Sequence, residues 1–276
     1  MAAAFIGAAA PSPVQAGSAS SWSPNIHAAT RLIVDKATWK GRGDRLFAGV
    51  HIKLDKGWKT YWRHPGDSGL PPRFDWSGSR NLKEARILWP APTRFHDNAG
   101  TTIGYKKEVV FPFLIAPEAP GEPVNLDVKV EFAVCANICI PVEAHLKLKA
   151  GRDGLFSRSY VQLLSRFLNR VPENKASTSG SGPSISHSEA VLVGDAPHLT
   201  VDARFPGGTE GADLFIEGPE GFYLPPTEPV GKHTSDTVRF KVDLTKGDDP
   251  KDLRGKTVTL TLVSEAARLE TSWHIE

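Results

Sequence analysis

Cys135 and Cys139 are the only cysteines among 276 residues, with Ala136-Asn137-Ile138 between them. Two thiols this close can tie the chain as a structural disulfide, hold a soft metal ion, or cycle between disulfide and dithiol. Both lie in FAVCANICIPVEAH, residues 132 to 145, within a β-rich run. Residues four apart in an uninterrupted strand are about 13 Å from each other, whereas a disulfide needs Cα atoms within about 4.4–6.8 Å. If the pair is bonded, the chain must reverse or bulge at residues 136–138, where Asn137 best tolerates a left-handed conformation. The strand ending at Val134 and the one starting near Ile140 are then hairpin partners. As a staple such a bridge is weak: closing a loop of about five residues gives roughly 2 kcal/mol on the chain-entropy model, against nearly 5 for about 100 residues. A tight-turn disulfide is also a candidate for easy reduction. The arithmetic favours a redox pair over a structural bridge and leaves both open.

The metal reading can be tested on spacing. CxxxC followed after four residues by His, and after four more by Met, is the ligand set of a dinuclear copper site in a cupredoxin-type sandwich. Here those positions hold Glu143 and Lys147, His145 comes two places late, and the only methionine is Met1. A thiolate pair binds Cu(I) or zinc only with outside ligands, so no metal and no cofactor are expected. Copper handling stays as an alternative. A second alternative, a carbohydrate-binding or adhesion module, comes from Trp58, Tyr61, Trp62, Trp76 and Trp89, because an exposed aromatic row on a sandwich binds sugar. Aromatic side chains in sandwiches are more often core. His51, His64, His96 and His145 form no HxH or HExxH spacing and are expected at surfaces or turns. Ser68 in PGDSG lacks the His and Asp blocks of a serine protease.

The elements that must position the cysteines are strands. Leu46, Ala48, Val50, Ile52 and Leu54 alternate with Phe47, Gly49, His51 and Lys53, the period of a half-buried strand. RLIV (31–34), ARILW (85–89), EVVFPFLI (108–115), VNLDVKVEFAV (124–134) and EAHLKLKA (143–150) read alike, and KGRGD, LDKG, HPGDSGLPP, DNAG and PEAPGEP punctuate them. Such short spacing predicts an antiparallel sandwich, not βαβ units. From Leu155 to Val171 the apolar residues recur at helical spacing up to Pro172, and NKASTSGSGPS (174–184) reads as a flexible linker. Six further short strands follow. The expected organisation is a leader at 1–21, a first domain at 22–150, an amphipathic helix at 151–173, a linker at 174–184 and a smaller second β-sandwich at 185–276.

Lys plus Arg at 33 against Asp plus Glu at 31 leaves a net charge of +2, which argues against a nucleic-acid partner. No run of 18 apolar residues is present, so no membrane-spanning helix is expected. MAAAFIGAAAPSPVQAG carries Val14-Gln15-Ala16 before its last residue, a pattern that a signal peptidase could cut, but it lacks a basic start. The expectation is a shortened secretory signal, with a mature start near Gly17 in an oxidising compartment. A disordered Ala/Pro/Ser leader is the other reading.

GWKTYWRHPGDSGLPPRFDWSGSRN, then ILWPAPTRFHDNAGTTIGYKKEVVFPF, then CANICIPVE resembles the N-terminal periplasmic domain of the DsbD and ScsB type thiol:disulfide interchange proteins, closest to the ScsB branch. The resemblance covers roughly residues 25 to 150. It implies an all-β chain whose first domain is an immunoglobulin-like sandwich, and a pair, Cys135 and Cys139, that cycles between disulfide and dithiol as a protein-disulfide reductase component in the periplasm. It implies a thioredoxin-like or membrane-embedded electron donor on a separate chain, since no CxxC follows here, and oxidised periplasmic thiol oxidoreductases as acceptors. Cys139, before Ile-Pro-Val-Glu, matches the cysteine that forms the mixed disulfide, with Cys135 the resolving partner. The cap loop maps to Phe95 through Tyr105. DsbD itself has five residues between its cysteines where this chain has three. An aromatic cap in DsbD corresponds here to Asn98, leaving Phe95 or Tyr105 to shield the sulfurs. Asp97 falls where that loop carries acidic residues that would raise a thiol pKa; DNAG is equally turn chemistry. Tyr61 and Trp62 are expected to line the disulfide groove.

Overall fold

The computed structural model describes residues 17–38, 44–97, 100–150, 158–174, 182–231 and 235–276. The signal-like leader through Ala16, residues 175–181 of the linker, and Asn98 lie outside them. The first part of the chain forms β1 (Ser23–Asn25), β2 (Ala28–Thr38), β3 (Asp44–Leu54), β4 (Lys59–Gly66), β5 (Arg73–Asp75), β6 (Leu82–Ile87), β7 (Thr93–Asp97), β8 (Gly100–Lys106), β9 (Glu108–Pro117), β10 (Val124–Cys135) and β11 (Cys139–Ala150). Helix α1 (Arg158–Leu168) follows, then β12 (Glu173–Asn174), β13 (Ser184–Val191), β14 (His198–Arg204), β15 (Asp213–Glu217), β16 (Glu228–Val230), β17 (Thr237–Asp243), β18 (Thr257–Val263) and β19 (Arg268–His274).

Two layers make the first sandwich, one sheet in the order β1-β2-β3-β9-β6 and the other β11-β10-β4-β8-β7, with β5 beside β10. The chain is mostly β, and its sheets pair as in immunoglobulin-like sandwiches. The alternation read in the sequence explains the layering. Along β10, Val124, Leu126, Val128, Val130, Phe132 and Val134 turn into the core, and along β11 Val142, Ala144, Leu146 and Leu148 do so while Glu143, His145 and Lys147 face solvent. Consecutive side chains of a strand point to opposite faces, so one face of each strand is apolar and is removed from water. The second sandwich packs β12-β19-β18-β15 against β13-β14-β17-β16 around its own apolar cluster, with Leu199, Phe205, Phe240 and Leu260 among its buried members.

Helix α1 does not stand apart between the sandwiches. Its Leu164, Phe167 and Leu168 belong to the first core, the stripe expected for an amphipathic helix laid on a sheet. Arg166 holds Glu108 at 2.5 Å and the Tyr160 hydroxyl accepts from Arg31 at 3.2 Å, fixing the helix to β9 and β2.

One histidine under this helix contradicts its expected surface position. His51 is 1% exposed because it occupies a position of β3 that α1 and Trp22 cover, its ring 5.0 Å from that of Trp22. Its Nε2 pairs with Glu108 Oε2 at 3.0 Å and its Nδ1 accepts from Arg31 Nε at 3.3 Å. Burial is the main cause that pulls its pKa down to about 4; the Glu108 bond works the other way and the Arg31 charge assists the burial. An unfolded histidine titrates near 6.5, so between pH 6.5 and 4 the unfolded chain takes up a proton that the folded chain refuses. Stability is therefore lost as pH falls through this window, on the order of 3 kcal/mol for a shift of this size. We expect the Tm to fall between pH 7 and pH 4.5, and to fall less steeply in His51→Gln; parallel slopes for the two proteins would contradict this assignment.

Candidate functional site

Strands β10 and β11 run as an unbroken antiparallel ladder from Val124 opposite Ala150 to Cys135 opposite Cys139. The two cysteines are thus the last pair before the turn, with Cα atoms 4.2 Å apart and a disulfide between them. Ala136 N–H donates to the Ile138 carbonyl across the reversal at 3.1 Å. Asn137, the residue of the three that best tolerates a left-handed conformation, does not adopt one: the non-glycine residues at positive φ are His27, Asn81 and Lys107 among those described. With the ladder kept to its last pair, the bend needs no left-handed residue.

Cross-strand partners project to the same face, which defines what surrounds the sulfurs. Cys135 stands opposite Lys59 of β4, Lys59 opposite Lys106 of β8, and Tyr61 opposite Gly104. This face lies outside the core, yet Tyr61, Ala133 and Cys135 form a small buried cluster of their own on it. The Tyr61 hydroxyl lies 2.6 Å from Cys135 Sγ and 3.1 Å from Cys139 Sγ. Neither sulfur of a disulfide carries a hydrogen, so the hydroxyl is the donor. Lys59, 5% exposed, donates to Thr102 Oγ1 at 2.9 Å.

Tyr61 is covered in turn by the PGDSG loop. Gly69 has φ +132°, and a Cβ there would sit 2.2 Å from Tyr61 Cε1; any side chain at 69 displaces the ring from the sulfurs. The outcome is an asymmetric pair: Cys135 is 1% exposed whereas Cys139 is exposed. Beside them stand two exposed apolar residues, Ile138 at 64% next to Cys139 and Leu70 at 56% next to Gly69.

Of the residues expected at the site, the structure brings Cys135, Cys139 and Tyr61 together. Trp62 does not line the groove: it follows Tyr61 in β4 and so faces the opposite way, 1% exposed in the first core. Tyr105 does not shield the sulfurs either. It pairs with Thr60, shares that residue's face, and buries its ring in the core with its hydroxyl on the Pro90 carbonyl at 2.7 Å. Phe95 pairs with Thr102 and so lies on the sulfur face, with Lys106 Nζ 4.2 Å from its ring centroid. Asp97 ends β7, its side chain, like Asn98, outside the described residues. The sequence reading missed Lys59, Thr102 and the support given by Gly69. The HPGDSG string read only as a turn, and which ring it covers depends on a contact eight residues back in the chain.

The alternatives meet the geometry as well. His145, six residues beyond Cys139 and so about 20 Å along the strand, is paired with Asp127 at 2.5 Å and cannot complete a copper site with the sulfurs. No tryptophan stands among the exposed large apolar residues described, which are Ile26, Leu70, Ile138 and Val193. Trp62 is core, Trp76 and Trp89 pack partly buried against it, and Trp58 stacks on His27 at 3.8 Å. The aromatic row a sugar binder needs is missing from the described surface.

Comparison with known proteins finds likenesses for both sandwiches. Residues 29–150 match the family model described as Thiol:disulfide interchange protein DsbD, N-terminal, and residues 170–276 match one described as Domain of unknown function (DUF8393). The first match spans most strands of the first sandwich and includes the cysteine pair at the end of its β10–β11 hairpin. Across both sandwiches the chain shares its fold with the crystal structure of the N-terminal periplasmic domain of ScsB from Proteus mirabilis, at 23% identity and a TM-score of 0.70, covering 94% of this chain and 98% of that one. No curated protein matches the chain in sequence. Among the described residues no helix is long and apolar enough to cross a membrane.

Proposed function

We propose that the chain is a periplasmic thiol–disulfide exchange protein that relays reducing equivalents through Cys135 and Cys139. The observation that carries this reading is the asymmetric, hydroxyl-contacted pair: Cys139 is an exposed residue and Cys135 a buried one. In the reduced state the Cys139 thiolate attacks one sulfur of an acceptor disulfide, forming a mixed disulfide and releasing the acceptor's other sulfur as a thiolate. Cys135 then attacks Cys139, re-forming the internal disulfide and releasing the acceptor's second thiolate. Two electrons have moved to the acceptor, and a dithiol donor reverses the sequence. A hydrogen bond to the charged form lowers a pKa, so Tyr61, near both sulfurs, stabilises whichever thiolate forms. Exposed Ile138 and Leu70 offer an apolar rim to a partner.

The resemblance supplies the partners of this reading: a thioredoxin-like or membrane-embedded donor on another chain, and oxidised periplasmic oxidoreductases as acceptors. The test mixes the pre-reduced protein with an oxidised thioredoxin-fold acceptor and follows thiols by gel-shift alkylation. Stoichiometric loss of thiols from this chain and gain by the acceptor is the expected result. No transfer from the wild-type dithiol over the lifetime of its thiols sinks the proposal.

A further inference from the structure

The second sandwich reaches the first through contacts that fall beside the residues around the sulfurs. On β4, Arg63 stands two residues from Tyr61 and forks onto Glu217, with Nε to Oε1 at 2.8 Å and Nη2 to Oε2 at 2.6 Å, while Nη2 also bonds Glu270. On β7, Arg94 is the neighbour of Phe95 and forks onto Asp213 at 2.7 and 3.0 Å, adding the Leu214 carbonyl at 2.9 Å and Thr227 Oγ1 at 2.8 Å. In the loop between β4 and β5, Asp67 stands two residues from Gly69 and accepts from the Tyr223 hydroxyl at 3.0 Å. Its other oxygen accepts Thr101 N–H at 2.7 Å, and its own N–H donates to the Thr101 carbonyl at 2.9 Å. A Cβ at Gly100 would sit 2.6 Å from that carboxylate, so the loop seats on β8 only because glycine is there.

The anchoring groups of the second sandwich are held in their turn. Tyr223 N–H donates to Asp248 at 2.7 Å, and burial first, then the Asp67 bond and charge, push the Tyr223 pKa up to about 12, so its hydroxyl keeps its proton at physiological pH. Phe215 of β15 is 1% exposed and belongs to the first core, 5.6 Å from the Trp62 ring. Bidentate arginine pairs fix orientation as well as distance, and these clamp β4, the strand that carries Tyr61, and β7, which lies beyond β8 in the same sheet.

We infer that the second sandwich is a positioning domain for the disulfide: by holding β4, β7 and the Asp67 loop it keeps Gly69 against Tyr61 and the Tyr61 hydroxyl on the sulfurs, and so sets the reactivity of Cys139. This rests on the thiol–disulfide reading above and assigns the second sandwich its part in it. The residue that acts at a distance is Tyr223, through Asp67, the loop and Tyr61.

The test uses the full chain, reduced, and measures the pH dependence of iodoacetamide alkylation at Cys139 by peptide mass spectrometry, with near-UV circular dichroism to verify folding. Tyr223→Phe removes one hydroxyl without changing charge. It is expected to raise the alkylation midpoint by roughly half a pH unit, about a threefold loss of thiolate at neutral pH, and Tyr61→Phe is expected to raise it at least as far. Glu217→Gln separates position from charge: deleting a distant negative charge alone lowers a thiol midpoint, whereas release of β4 raises it. An unchanged midpoint in Tyr223→Phe together with an unchanged or lowered one in Glu217→Gln overturns the inference while the exchange function stands. So does an unchanged midpoint in Tyr61→Phe. A wild-type pair that reductant never opens removes the exchange reading itself.

Discussion

Cys135→Ala is expected to convert the protein from a turnover species into a trap. With Cys139 exposed and its resolving partner gone, the mixed disulfide has no internal thiol to break it, so complexes with acceptor proteins accumulate and survive non-reducing electrophoresis. The reverse substitution, Cys139→Ala, leaves the cysteine that is 1% exposed and is expected to drop transfer to the background level with no trapped species. This is the largest effect that a single side chain has in the chain, because exchange needs both an accessible sulfur and a thiolate behind it. Equal trapping by the two variants would mean that the burial difference does not decide which sulfur meets the partner.

The second large effect concerns how the two sandwiches hold together. Phe215 comes from β15 of the second sandwich but is buried in the apolar cluster of the first, against Trp62 and with the Arg94 guanidinium carbon 5.3 Å from its ring centroid. Truncating a buried phenylalanine to alanine costs about 3–5 kcal/mol. Phe215→Ala is expected to lower the Tm and the urea midpoint by a corresponding amount. A loss under about 1 kcal/mol, within the range of surface substitutions, would show that the ring is not part of the joint.

How far the sequence announced this arrangement can be argued from single residues. Strand identities were legible wherever one face alone is buried: VNLDVKVEFAV and EAHLKLKA show period two because only one side meets the core. The hairpin was legible from Cys135 and Cys139, since a bond between them forces a reversal. Alternation also held the answer for Trp62 and Tyr105, because in β4 the residue next to Tyr61 must face away from it, and only strand pairing reveals that Tyr105 shares a face with Thr60. What stayed hidden has a common cause. His51 looked like a solvent-facing partner in an alternating strand, yet its face is covered by α1, more than a hundred residues later. Nothing in the sequence around Asp67, Arg63 and Arg94 points to their partners, because Tyr223, Glu217, Glu270 and Asp213 come from the other sandwich. Contacts across a joint between two sandwiches leave no periodicity in either sequence.

The direct test of the central claim is the thiol–disulfide equilibrium of Cys135 and Cys139 in glutathione redox buffers, read by alkylation and mass. A redox pair gives a single reversible two-electron transition, approached identically from the oxidised and reduced sides, with both thiols appearing together and the fold kept in each state. A bridge that opens only when the protein is unfolded, or thiols that never re-form the bond, would contradict it.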